Sequence, residues 1–292
     1  MKVLITGASG FIGGHLADYL RSYHQVAAPS RSELNLLDDR EVTRYLRPNQ
    51  FDAIVHAATV RANRRLGSPP QLLEQNCRMF FSLVRNQEAF GKLFFLSSGN
   101  VYDRRHAVPR IREECFDSHI PADDYGFSKY ICARFAAGAQ RLFELRLFGV
   151  FGPHEDWEIR FLSNACCRAV CDLPIVIRQN VNFDYMDVSD LAIVVDRLMQ
   201  GEPRHPAYNV CSGRALDLVT LAEKVVKASG KALPIQVEQP GLGPEYSGDN
   251  RRLLDEIPGF HFRDVDDSIS ALYRWFSDHR QEIDPNRLHF DA

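Results

Sequence analysis

The chain opens on an apolar run and then alternates two periodicities. "KVLIT" is short, continuous and apolar, as a buried strand is, and "FIGGHLADYLRS" after it has helical spacing. "QVAAPSR" predicts a second strand that stops at Pro29, and "REVTRYLRP" a helix ended by Pro48. "FDAIVHAA" predicts a third strand, followed by a long amphipathic helix through "PQLLEQNCRMFFSLVRNQEAF" and the strand "KLFFLSS". "GFSKYICARFAAGAQ" reads as helix and "LFELRLFGVFG" as one further strand. Strands that alternate with helices in this order imply a Rossmann-type, doubly wound α/β fold: a parallel sheet with helices on both faces.

The pattern changes after Pro153. "IRFLSNACCRAVCD" predicts a helix, "LPIVIR" a strand, and "VSDLAIVVDRLMQ" a helix that Ser189 is placed to cap. "AYNVCSG" reads as strand and turn, "DLVTLAEKVVKASG" as a helix stopped by Gly230, and "DSISALYRWFSDH" as a final helix. The expected organisation is a dinucleotide-binding unit over 1–153, to which 180–212 partly returns, and a smaller C-terminal α/β substrate unit over 154–292.

Composition narrows the function classes. The 292 residues are 45% hydrophobic and 25% charged, ordinary for a globular protein. A net charge of -3 gives no sign of a nucleic-acid groove. No apolar stretch is long enough to span a bilayer, and no signal peptide is read before the first strand. The 7 cysteines (Cys77, Cys115, Cys132, Cys166, Cys167, Cys171, Cys211) are odd in number and form no CxxC pair. Cys167 and Cys171 share a helical face without further ligands at metal spacing, so reduced, buried thiols in the cytoplasm are expected, and no metal.

The candidate chemistry begins at the glycine turn. "TGASGFIG" sets Gly7, Gly10 and Gly13 between the first strand and the first helix. Gly7 permits a tight turn, Gly10 a close approach of backbone to pyrophosphate, and Gly13 close packing of helix on strand. The helix N-terminus offers free N–H groups to the anion. A carboxylate after the second strand would accept from the ribose of NAD and repel the extra phosphate of NADP. Here Pro29-Ser30-Arg31 follows, with no acid before Glu33. Arg31 suits a 2′-phosphate and Ser30 adds a hydroxyl, which favours NADP(H).

"YGFSK" places Tyr125 and Lys129 on one face of a helix. A phenol with an ammonium beside it and a positively charged nicotinamide above it becomes a usable acid/base near neutrality. Lys129 is also suited to bond the cofactor's ribose hydroxyls. "FFLSSGNVYD" ends a predicted strand at the carboxyl edge of the sheet, where Ser98 can hold a substrate carbonyl; Ser97 is read as a packing serine.

"TGASGFIG", "HAA", "SSGNVYD", "YGFSK", "RLFGVFGP", "FDYMDVSDLA" and "YNVCSG" occur in an order that resembles the extended short-chain dehydrogenase/reductases, from residue 2 to at least 255. More narrowly they resemble the nucleotide-sugar epimerases, dehydratases and reductases, and "SRSELNLLDDREV" is similar to a segment of the GDP-L-fucose synthases, which use NADPH. The resemblance implies cofactor contacts at Ser9, Phe11, Ile12, Ala57 and Ala58. It also implies Asn35 and Leu36 near the adenine, and Asn76 on an active-site helix. It implies a homodimer built on the helices at 71–90 and 126–140, and places diphosphate-binding groups in the C-terminal half, where Arg160, Arg178, Arg251 and Arg252 are candidates.

Departures from the family narrow the reaction. Its dehydratases carry an acid directly after the catalytic hydroxyl, where this chain has Gly99. Its epimerising fucose synthases carry a cysteine where this chain has Asn100, a further candidate for substrate contact, and a histidine close to where this chain has Arg160. Asparagine cannot remove a proton from the carbon beside a ketone. "FDY" stands where the family's "RDF" is usual, and Tyr185 and Asp187 are read as structural. The expectation is an NADPH-dependent reductase of the C4 keto group of a nucleotide-linked deoxy- or heptose sugar, with a GDP-sugar favoured. A C4 or C3/C5 epimerase, and a nonenzymatic NADP-binding regulator, are the alternatives.

Overall fold

The computed structural model describes residues 1–61, 67, 69–106 and 108–288. The first half builds β1 (Lys2–Thr6), α1 (Phe11–Arg21), β2 (Gln25–Ala27), α2 (Asp39–Asn49), β3 (Phe51–His56), α3 (Leu72–Val84), β4 (Phe90–Ser98), α4 (Asp124–Ala137) and β5 (Leu142–Leu147). There follow β6 (Gly149–Phe151), α5 (Phe161–Val170), β7 (Ile175–Asp187), α6 (Val188–Gln200) and β8 (Ala207–Val210). The chain then forms β9 (Ala215–Asp217), α7 (Leu218–Ser229), β10 (Ile235–Tyr246), α8 (Arg251–Glu256) and α9 (Val265–Asp278).

A parallel sheet in the order β2-β1-β3-β4-β5-β8 is wrapped on both faces. On one face Leu16 and Leu20 of α1 pack with Leu191, Val194 and Val195 of α6 and Leu253 of α8. On the other, Val42 and Leu46 of α2 join Phe80 and Leu83 of α3 and Cys132 and Ala136 of α4. A second sheet, β10-β7-β6 with β9 against β7, carries α5, α7 and α9 on its own apolar core. The Rossmann-type fold is as expected. α6, β8 and α8 pack with the first sheet, whereas the last residues of β7 belong to the second.

Four local expectations are corrected. "LFELRLFGVFG" is two strands: the chain leaves one sheet at Phe148 and enters the other at Gly149. α2 runs past Pro48, because the lost N–H falls in the last turn, and it ends where Gln50 turns left-handed at φ 48° while donating to Leu46 O at 3.2 Å. α6 is capped by Asp187, which accepts from Ser189 N at 2.7 Å; a carboxylate before the first turn outcompetes the serine after it. The long helix predicted to reach Phe90 stops at Val84. Gly230 does close α7, at φ 65°.

Candidate active site

In an open parallel sheet the crevice lies outside the strand C-termini, where strand order reverses. Here β2 and β3 flank β1 on opposite sides, and a cleft of about 440 Å³ opens at that point. Its wall includes Gly7, Ser9, Gly10, Phe11, Ile12 and Gly13 of the glycine turn, Arg31, Asn35 and Leu36 after β2, and Ala57 and Ala58 after β3. Tyr125 and Lys129 of α4 complete it. Gly7 adopts φ +74°, and a Cβ there would lie 2.6 Å from Ala58 N; one on Gly13 would lie 2.2 Å from Gly7 O. The turn is thus pressed against both neighbours, and no side chain among the described residues caps α1, so its first N–H groups face the cleft. These features fit the pyrophosphate of a dinucleotide.

At the far end of the cleft the polar groups are divided. Arg31 is exposed and lines the wall. Ser30 does not: its N and Oγ both donate to Glu33, at 2.7 and 2.8 Å. Those bonds lower the Glu33 pKa and hold its carboxylate on the Ser30 backbone. Asn35 faces the cleft, while its Oδ1 accepts from Leu37 N at 3.2 Å.

Asn76 is buried and does not line the cleft. Its side chain clamps the backbone of Val60 from both sides: Oδ1 accepts from Val60 N at 2.7 Å and Nδ2 donates to Val60 O at 2.9 Å. Val60 itself is on the cleft wall, together with Thr59 and Arg61. An amide, with one donor and one acceptor side by side, is the side chain this clamp needs.

The catalytic candidates are set by two close approaches. α4 begins at Asp124, capped by Asp123 Oδ1 on Gly126 N at 2.8 Å, which puts Tyr125 in its first turn. Gly126 packs on the segment after β4, so that a Cβ there would lie 3.0 Å from Asn100 O. Lys129, one turn on, is 3% exposed and donates to Leu96 O at 3.1 Å. Its Nζ lies 5.7 Å from the Tyr125 ring centre and 4.7 Å from that of Phe95. Burial lowers its pKa, and the Tyr125 phenol opposes that shift.

Ser98 caps the turn that follows β4, its Oγ accepting from Asn100 N at 3.2 Å. That turn is anchored by Tyr102, whose Oη accepts from Arg146 at 2.6 Å and donates to Asn209 Oδ1 at 2.6 Å. Gly99 has no room for a side chain: a Cβ would lie 2.7 Å from Tyr246 Oη and 2.9 Å from Phe148. Ser97, read from sequence as packing, does line the cleft, buried and with no hydrogen-bond partner for Oγ among the described residues. Thr6, on the wall, pairs with His56 behind it at 2.8 Å, and burial holds His56 down at about 3, so it is neutral at physiological pH.

The expected substrate arginines separate into two groups. Arg251 is paired with Asp249 at 2.6 Å, and Arg252 is held by Glu113, Glu114 and the carbonyl of Ala207. Arg178 is exposed along β7, away from the cleft. Arg160 precedes α5, and its charge acts on both Glu155 and Tyr246. Arg104, not singled out from sequence, stacks 4.7 Å over the Tyr246 ring. Glu155 and Tyr246 were also missed: neither lies in a motif, and both are brought in by the second sheet.

Known proteins resemble this chain in sequence and fold. Residues 3–211 match the model described as the NAD dependent epimerase/dehydratase family. The chain is 25% identical to a UDP-glucose 4-epimerase of Neisseria meningitidis serogroup C over 97% of its own length and 99% of the relative's. It is 26% identical to a GDP-6-deoxy-D-mannose reductase of Pseudomonas aeruginosa, over 82% and 83%. The solved structure of RMD from Pseudomonas aeruginosa complexed with NADPH superposes with a TM-score of 0.80 at 25% identity, covering 95% of this chain and 99% of that one. With the glycine turn, the cleft at the switch point and the second sheet all in place, the chain belongs to the NAD dependent epimerase/dehydratase family of NAD(P)-binding enzymes.

Proposed function

We propose that this protein is an NADP(H)-dependent reductase of the C4 keto group of a nucleotide-linked deoxy- or heptose sugar, a GDP-sugar being favoured, and that it works as a homodimer joined through α3 and α4. The observation that carries the reading is that Tyr125 and Lys129 line the same cleft as the glycine turn, with the ammonium 5.7 Å from the phenol ring. Arg31 on the cleft wall, with the Glu33 carboxylate tied to Ser30, supports the phosphorylated cofactor. The NADPH in the RMD structure and the reductase among the relatives point the same way.

NADPH, when bound, supplies the hydride. Ser98 donates a hydrogen bond to the keto oxygen and fixes its position. Tyr125 gives its proton to that oxygen, so that the carbonyl becomes an alcohol. Lys129 stabilises the phenolate left on Tyr125 and is itself oriented by Leu96 O. The clash that any side chain at Gly99 would meet argues against sugar dehydration at this site, since an acid at that position has no space.

A nucleotide-sugar epimerase is the second reading, favoured by the Neisseria relative that spans nearly the whole chain. A panel of 4-keto nucleotide sugars, with loss of reduced nicotinamide followed by absorbance and the product by NMR, decides between them. Net NADPH consumption is expected. Isomer exchange without it identifies an epimerase. Tyr125→Phe is expected to lower turnover by about 100-fold or more with NADPH binding retained; wild-type turnover in that variant overturns the assignment.

A further inference from the structure

Tyr246 ends β10, on the outer strand of the second sheet, yet its phenol reaches the Ser98–Gly99 corner of the first. It is 7% exposed, whereas the other residues of its strand are exposed or only partly buried. Its ring is gripped by Phe148 and Phe183, at 5.0 and 4.9 Å between centroids, with the Arg104 guanidinium above it. Its Oη lies 2.7 Å from where the first atom of a residue-99 side chain would sit. Burial pushes its pKa up to about 12, a rise the neighbouring Ser98 hydroxyl partly offsets, so it keeps its proton across the neutral range.

We propose that Tyr246 is a positioning residue of the active site, its phenol donating to Ser98 Oγ and so turning the Ser98 proton toward the keto oxygen of the substrate. This rests on the role given to Ser98 above. Between two hydroxyls either can donate, and without a substrate the Ser98 proton can rest on Tyr246 Oη. A keto oxygen in the cleft gives that proton a second acceptor. The Ser98 Oγ lone pair then accepts from Tyr246, as its other lone pair accepts from Asn100 N at 3.2 Å. Each bond in such a chain polarises the next. Two donors on Oγ leave its own proton a single direction, and that defines one carbonyl position over the cleft. The second sheet therefore contributes directly to the geometry of the reacting group.

The test is a cycle of variants with NADPH and GDP-4-keto-6-deoxymannose as the probe. Tyr246→Phe keeps the ring and its three neighbours. Its kcat is expected to fall about tenfold, with KM within about twofold. In a Ser98→Ala background the same change is expected to cost nothing further. Unchanged kcat in Tyr246→Phe, or an equal loss in both backgrounds, reduces Tyr246 to packing and overturns the proposal. Ser98→Ala with wild-type kcat overturns the role of Ser98 itself. No turnover of the probe or of its dTDP- and UDP-linked counterparts by the unaltered protein overturns the reductase reading, and this inference with it. Should Tyr246→Phe not fold, difluorotyrosine at 246 preserves both ring and hydroxyl but ionises at lower pH. Its kcat is expected to decline at alkaline pH in a second ionisation that is added to that of Tyr125 and is absent from the wild type's profile, and coincident profiles refute the donor role.

Discussion

Glu155 offers a measurement that depends on the packing around the site and not on the substrate. It is 8% exposed, and its Oε2 accepts from Ser163 Oγ at 2.6 Å. Burial raises its pKa from the ordinary 4.5 to about 7; the Ser163 bond and the charges of Arg160 and Arg61 offset part of that rise. Below 4.5 the carboxyl is protonated in both folded and unfolded chains, and it has no effect on the pH dependence. Between 4.5 and about 7 the unfolded chain releases the proton while the folded one retains it, so stability falls as pH rises. Above about 7 both are ionised and the loss is complete. A gap of about 2.5 pH units at about 1.4 kcal/mol each is a loss of about 3–4 kcal/mol. Glu155→Gln keeps the shape and can still accept from Ser163, but it does not titrate. The variant is therefore expected to match the wild type near pH ~4.5 and to exceed it by about 3–4 kcal/mol near pH ~8.5. For a chain of this length that is a rise in Tm of about 5 °C. Urea titrations at both pH values give the difference directly. A wild-type-minus-variant difference that stays constant with pH refutes the burial argument.

Arg31→Ala is expected to weaken NADPH binding by about 10- to 100-fold and leave NADH binding unchanged, because only the 2′-phosphate loses its partner; calorimetry showing equal losses for both cofactors contradicts this. Gly99→Ala drives a methyl group against Tyr246 Oη and Phe148 and is expected to cost about 1–3 kcal/mol and to lower kcat by moving Ser98. Wild-type Tm and kcat in that variant mean that the corner yields freely. The α3–α4 face presents Phe135, 42% exposed, beside Phe81 at 5.3 Å. Light scattering is expected to report a dimer that Phe135→Asp dissociates, and a monomeric wild type removes the proposed interface.

The parts of this molecule legible in its sequence are those whose cause is local. A glycine turn between an apolar strand and an apolar-faced helix admits few conformations, and Tyr125 and Lys129 face together because a helix makes them do so. Where the structure adds to the local reading, neighbours compete: Glu33 accepts from the Ser30 hydroxyl expected at a phosphate, and Asp187 takes the cap offered to Ser189. What was not read at all came from distance along the chain. β10 carries neither the alternation nor the apolar run of a strand; "IQVEQPGLGPEY" holds Pro, Gly and charge, and it exists as a strand because β7 supplies its partners. Register shifts between Gln239 and Leu242 and between Gly243 and Tyr246 break the regular two-residue repeat. Without them the side to which Tyr246 points would follow from counting residues, as it does in an ordinary strand. The irregularity that hides Tyr246 from a periodicity argument is the same one that ends the strand with its phenol against Gly99, so the residues hardest to read here are those the second sheet delivers to the edge of the first.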